Sequence, residues 1–385
     1  MAKKSISSGL VVLSVIPLGL YLGRMIVFHL YGLSDLVSTN VLWVSFFDAL
    51  LSSLVFLVFF SRNDVNFLQK SWRTKLGSFY RSSILLCVQL LFLVVTLSQS
   101  GSFISLIIAG FSRQELVDTL GQTPLILSVA AKFFVATVVL VCISSTNKLV
   151  RFLAVIGFVL VTIVFTSRAN ILTVLIFVLI ITFVDFNRRQ FFRLFIFSVV
   201  MVSIALFVTI FVQNRALESN FMGPMKPLED YFLYGGYSFY LAEFAINFAY
   251  DNDKYLFPFF GYVGEFFGRE FLLIDKSSLV DSEFVLKFRV FYSDYRQHFA
   301  NVIYPWWAWF YGAYGFLGLI FKSIFVYSLL AISFWLKSFP LVFVMIYWGL
   351  FTTALSFPII SLDGFFTLFF VVFIDLVARV KITKG

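Results

Sequence analysis

Most groups in this sequence that could do chemistry crowd into one stretch, residues 213–304. There Asp294-Tyr-Arg-Gln-His298 sets one of the chain's 2 histidines among polar neighbours. An imidazole titrating near neutrality can serve as a general base in such a place. Glu243, Asp251 and Glu265 compete for that role, and a lone histidine is more often structural, so the base stays open among them. Three arginines could receive an oxyanion: Arg168 in Thr166-Ser-Arg-Ala-Asn170, Arg215, and Arg113 in Phe111-Ser-Arg-Gln-Glu115. The planar guanidinium fork suits phosphate better than a point-like ammonium does. For Arg168 the competing reading is an anchor on a lipid phosphate; Arg269 and Arg296 are reserve positions for the same oxyanion.

A second set lies inside apolar runs. Asp48, Lys132 and Lys322 each sit about 10–12 Å below the outer end of such a run, at 1.5 Å per helical residue. Charges in lipid are expensive and turn toward a protein interior or a wet cavity. A shared depth points to one polar cavity whose excess positive charge suits an anionic ligand. The plainer alternative is an ion pair between Asp48 and either lysine, the other lysine snorkelling. Arg24, under the outer end of the first run, is expected to snorkel as well. Trp306, Trp307 and Trp309 read as an aromatic belt at a membrane interface, or as a platform for sugar rings. No HExxH, Walker A, dinucleotide-binding or cysteine-rich zinc pattern occurs, so no metal or other cofactor is expected.

The elements that must position these groups are long and apolar. Hydrophobic residues make up 61% of the 385 residues and charged ones 13%. A soluble domain carries about 25% charge, so the chain belongs in lipid. Runs of about twenty apolar residues fall at 10–28, 41–60, 82–97, 125–143, 149–165, 171–183, 192–212, 315–336, 340–357 and 365–380. Continuous rather than alternating hydrophobicity excludes a barrel, so the expected fold is all-α, a polytopic membrane protein of about ten spans. The first run follows Met1-Ala-Lys-Lys without a convincing cleavage site and is expected to be a retained span.

Orientation follows from lysine and arginine in the short connections. One side carries Lys3, Lys4, Arg62, Lys70, Arg73, Lys75, Arg81, Lys148, Arg151, Arg188, Arg189, Arg193, Lys337, Arg379, Lys381 and Lys384. The other side's short connections hold only Arg113 and Arg168. By the positive-inside rule both termini are cytoplasmic, and 213–304 is a large outer loop. The net charge of +9 is therefore topology, not a nucleic-acid footprint. Three sections result: 1–212 with seven spans, 213–304 outside, and 305–385 with three spans. A loop of about ninety residues is far longer than an ordinary connection and carries function. Within it, 238–250 reads as a helix lying at the interface. Cys87 and Cys142 fall in apolar runs, which argues against a disulfide framework. No repeat of fixed period is seen, so an inverted-repeat transporter lacks its signature.

The layout resembles the Wzy-type polymerases of O-antigen and capsule repeat units. Those proteins have ten to fourteen spans, a short arginine-bearing outer turn, here 166–170, and a long outer loop before the last spans. A local match is His298-Phe-Ala-Asn-Val-Ile-Tyr304 running into Trp309-Phe-Tyr-Gly-Ala-Tyr-Gly-Phe-Leu-Gly318. Ala313 replaces the family's usual aspartate, so no role for that carboxylate carries over. The resemblance implies a GT-C-like glycosyltransferase architecture in a bacterial inner membrane. It implies transfer of a growing glycan from undecaprenyl pyrophosphate onto a new lipid-linked repeat unit. The partners would be those lipid-linked oligosaccharides, membrane lipids and a chain-length regulator protein. Asn301 and Trp306 would join Arg168, Arg215, Arg113, Lys132 and Lys322 in holding substrate, with His298, Glu243 or Asp251 acting on the acceptor hydroxyl. Two readings stay open beside it, an O-antigen ligase and a flippase of lipid-linked oligosaccharide.

Overall fold

The computed structural model describes residues 8–76, 79–109, 125–144, 147–164, 168–184, 192, 196, 199–200, 203, 226–252, 254–261, 263–264, 284, 289–293, 296–300, 304–352, 357–360 and 362–379. The chain packs as two compact units. One comprises Met1–Asn63, Ser219–Ile332 and Met345–Gly364; the other comprises Asp64–Glu218, Ser333–Val344 and Phe365–Gly385. The linear sections 1–212, 213–304 and 305–385 cut across both units.

The first unit is built on α1 (Ser8–Leu30) and α2 (Thr39–Arg62), which pack side by side. Their sequences are apolar on every face, and Leu22, Ile26, Trp43 and Leu54 stand exposed, as lipid-facing residues do. Ser38 opens α2 in an extended conformation, yet its hydroxyl makes no cap bond. Its backbone N–H instead donates to Glu243 Oε1 at 2.8 Å, which places a carboxylate at the positive end of the helix. At the far end Asn63 stops the helix, its N–H returning to Phe59 O at 3.1 Å.

The second unit begins with α3 (Val65–Leu76), started by Asp64 Oδ1, which accepts the Phe67 N–H at 3.1 Å. There follow α4 (Phe79–Ile108), α5 (Leu125–Ser144), α6 (Lys148–Val164) and α7 (Arg168–Val184). α5 packs on α6, and α4 packs on both. Phe92 stacks on Phe133 at 4.5 Å. The short basic helix α3, with Val65, Leu68 and Trp72 buried, was not expected from the apolar runs. The run 82–97 is part of a longer helix than expected. The run 192–212 lies outside the described residues except at a few positions.

Back in the first unit, α8 (Lys226–Asp251) is the helix foreseen at 238–250, extended by several turns. It packs against α1 and α2. Gly236 faces Phe28, and Phe239 meets Tyr21 and Phe28 edge-on. A hairpin of β1 (Arg289–Ser293) and β2 (Arg296–Ala300) follows. The otherwise helical fold thus contains a small antiparallel sheet that the all-α expectation omitted. It is paired Arg289 to Ala300, Phe291 to His298 and Ser293 to Arg296.

Next come α9 (Trp306–Tyr314), α10 (Phe316–Trp335), α11 (Phe339–Tyr347), which runs into a π-helical turn at Trp348–Thr352, and α12 (Leu362–Arg379). Gly315 joins α9 to α10 with φ 60 and ψ −147, a region essentially reserved for glycine. A Cβ at Gly318 would collide with the Phe310 carbonyl, so the two helices fold back on each other closely. Among the described residues, three helices are long and apolar enough to cross a membrane: Ser8–Leu30, Thr39–Arg62 and Phe316–Trp335. Several shorter apolar helices accompany them. This is a membrane-associated, predominantly helical protein.

Candidate functional site

Two polar clusters form in the first unit. The deeper one joins α1, α2, α8 and α10. Lys322 Nζ donates to Asp48 Oδ1 at 2.6 Å and Oδ2 at 2.8 Å, and to Ser52 Oγ at 3.3 Å. All three side chains are buried. Arg24 is 2% exposed, and its charge reaches Asp48. Its Nε donates to Leu20 O at 3.0 Å and its Nη1 to Ser238 Oγ at 3.3 Å, while its guanidinium lies 5.3 Å from the Phe239 ring centre. Arg24 was expected to snorkel. It turns inward because α8 brings a hydroxyl and an aromatic face to it. Of the three charges expected to share a depth, Asp48 and Lys322 form the ion pair. Lys132 is half-buried on α5 and belongs to the second unit.

The second cluster is carried by the hairpin and α8. The Arg289 guanidinium lies 4.7 Å from the Phe244 ring centre and 5.1 Å from that of Phe284. Its Nε is shut from solvent and meets no hydrogen-bond acceptor among the described residues. Beside it on α8 stand Tyr240 and Glu243, one turn apart. Burial, and then the Glu243 carboxylate, push the Tyr240 phenol above its usual range, against the opposing charge of Arg289. Tyr240 is therefore a neutral donor at ordinary pH. On the pleat, positions 289, 291, 298 and 300 share one face of the ladder. Arg289 thus belongs to the same face as the His298 position, and Glu243 links this cluster to the start of α2.

Arg289 was missed from the sequence. The signal was there: Phe288-Arg-Val-Phe-Tyr-Ser293 and Arg296-Gln-His-Phe-Ala300 are aromatic-rich runs separated by two residues, a hairpin pattern. Reading the segment as a loop between helices hid it.

The remaining candidates are placed as follows. Asp251 is exposed at the end of α8, and Arg168 is the first residue of α7. His298 and Arg296 occupy β2, their side chains outside the described residues, where Arg113, Arg215, Asn301, Glu265 and Arg269 also lie.

Trp306, Trp307 and Trp309 are 3%, 1% and 0% exposed. Trp306 stacks on Phe357 at 5.5 Å and 14°, and its Nε1 donates to Pro258 O at 2.7 Å. These rings fill the interior, with no face left for a sugar or for the lipid headgroup region. Both the belt and the platform readings are corrected. The sequence shows three tryptophans before a span but not that α9 folds back against α10 and buries them.

The chain matches no protein-family model, no curated protein and no solved structure.

Proposed function

We propose that this protein polymerises oligosaccharide repeat units carried on undecaprenyl pyrophosphate, at the outer face of a bacterial inner membrane, with both termini in the cytoplasm. The observation that carries the reading is Arg289, a guanidinium close to two rings with a buried donor that has no partner among the described residues. Such an unsatisfied group calls for an explanation, and an oxyanion is the ligand that answers it. Arg289 belongs to the hairpin face that includes the His298 position and stands beside Glu243 and Tyr240. Cation, one base candidate and neutral donor therefore occupy one locality.

In the proposed reaction the bond between the glycan's anomeric carbon and the pyrophosphate oxygen breaks. A bond from the same carbon to a hydroxyl of the incoming repeat unit forms. The hydroxyl proton passes to the base, His298, Glu243 or Asp251, and the pyrophosphate leaves with the electron pair. Arg289 stabilises charge that grows as the bond breaks. Such interactions accelerate the step rather than only tightening binding. The donor is already activated, so no nucleotide is consumed.

The test supplies purified protein in vesicles with lipid-linked repeat units and, separately, with a lipid A-core acceptor. Polymer on undecaprenyl supports the proposal. Glycan appearing only on lipid A-core means a ligase, and translocation without a new bond means a flippase; either result refutes it.

A further inference from the structure

The strongest unassigned feature is the path of residues 254–261, a stretch that belongs to the nominal outer loop yet reaches the middle of a span. Phe325 is the tenth of the twenty residues of α10, one of the three helices able to cross a membrane. The Phe259 ring meets Phe325 at 5.3 Å, and Phe260 meets it at 6.4 Å. At the start of α9, Trp306 meets the same ring at 6.1 Å. At the end of α9, Tyr314 meets Phe321, nearer the α10 start, at 5.2 Å. α9 therefore runs antiparallel along the first half of α10. Its start, with Phe259 and Phe260, sits near mid-span. Tyr255 lies at the shallow end, with its ring 5.6 Å from that of Tyr314.

We infer that residues 254–261 and α9 form a re-entrant insertion, and that the outward surface of 255–260 contacts the hydrocarbon chains of the bilayer. Two independent observations carry this. First, the backbone of this stretch, two bent residues at 255–256 leading into a short helix from 257, is satisfied from within, as it must be where no water is available. The Tyr255 carbonyl accepts from Tyr314 Oη at 2.6 Å. The Leu256 carbonyl accepts the N–H groups of Phe259 and Phe260 at 3.2 Å each. The Pro258 carbonyl accepts from Trp306 Nε1. At the far end Gly261, with φ 53, passes against the Ile359 carbonyl, where a Cβ would collide.

Second, the side chains left outside are apolar. Tyr255, Leu256 and Phe260 are 49%, 44% and 50% exposed. Through Tyr314 and Phe325 they continue the exposed Leu317, Ile320 and Ile324 of α10, the bare face of a spanning helix. Rings left exposed at mid-span depth are in contact with lipid tails rather than water. The aromatic cluster around Trp306 then acts as the seal that lets the bend at 255–256 and the start of a short helix sit at that depth.

The experiment places a bimane label at Leu256→Cys or Phe260→Cys, in protein whose Cys87 and Cys142 are replaced by serine, reconstituted in phosphatidylcholine vesicles. Lipids brominated along their acyl chains should extinguish the fluorescence at both positions, more completely at 260 than at 256, while aqueous iodide leaves it unchanged. Tyr250→Cys, exposed on α8, is the control that iodide should quench. Iodide quenching at 256 and 260 equal to that control overturns the inference. So does resistance to both quenchers, which means a protein partner covers the surface. Hydrogen exchange on the unsubstituted protein in nanodiscs avoids any folding defect of the variants. Slow exchange at Phe259 and Phe260 is expected, and exchange as fast as in an open loop overturns the assignment.

Discussion

Lys322 reaches across from α10 to hold both carboxylate oxygens of Asp48 on α2, at 2.6 and 2.8 Å, with Ser52 completing its contacts. The pair is fully enclosed by protein and ties the two helices together at one depth. Removing one member of such a pair strands a charge and costs about 3–5 kcal/mol, whereas replacing both with apolar groups is often close to neutral. Asp48→Ala should therefore sharply lower the thermal midpoint of the detergent-solubilised protein, and Asp48→Leu with Lys322→Leu should recover most of it. Additive losses in the double variant would show that the pair is not the unit of stability.

Glu243 has two candidate roles, and one substitution separates them. Glu243→Gln keeps an oxygen to accept the Ser38 N–H, so the start of α2 should stay intact. Glu243→Ala removes the acceptor and should destabilise by about 1 kcal/mol, as lost helix caps do. Comparing melting midpoints with glycan synthesis in the glutamine variant reads the roles apart. Normal stability with lost synthesis assigns the base to Glu243; normal values of both leave it to His298 or Asp251.

The α9–α10 turn can be dissected by two alanines. Gly315→Ala meets no neighbouring atom but must hold a glycine-only conformation, costing about 1–3 kcal/mol. Gly318→Ala has ordinary freedom but drives its Cβ into the Phe310 carbonyl, an overpacking that also costs about 1–3 kcal/mol. Only the second should disturb the packing of Trp306 and Trp309, visible as a shift in tryptophan emission. An unshifted spectrum in Gly318→Ala would argue against the close fold-back.

Topology is checked by labelling. Lys70 on α3 and Asp251 at the end of α8 are both exposed. In intact cells an impermeant thiol reagent should modify Asp251→Cys and leave Lys70→Cys untouched until the membrane is opened. Labelling of Lys70→Cys from outside would invert the orientation.

The helices were largely legible from the sequence because lipid demands long uninterrupted apolar runs, and 10–28, 41–60 and 315–336 fall almost on α1, α2 and α10. Equal depth on two of those runs likewise foretold that Asp48 and Lys322 could meet. What the runs could not show was non-local. Arg24 turns inward only because Ser238 and Phe239 arrive from a helix more than two hundred residues later. The tryptophans are buried only because Gly315 and Gly318 let α9 fold back. Arg289 acquired meaning only once Phe244 and Phe284 were brought close to it. Hydropathy reports an element's solvent, not its neighbours.

The most direct measurement is the rate at which purified protein in vesicles extends lipid-linked repeat units, compared among wild type, Arg289→Ala and Arg289→Lys. Removing a preorganised donor from developing negative charge costs about 2.7–4 kcal/mol, roughly a hundred- to thousandfold in rate. The account predicts a loss of that order for Arg289→Ala, with folding and membrane insertion unchanged. It predicts poor rescue by lysine, whose point charge cannot reproduce the two-pronged contact. Arg289→Ala protein that polymerises at a near-normal rate would contradict the account and reduce Arg289 to a cation packed against aromatic rings.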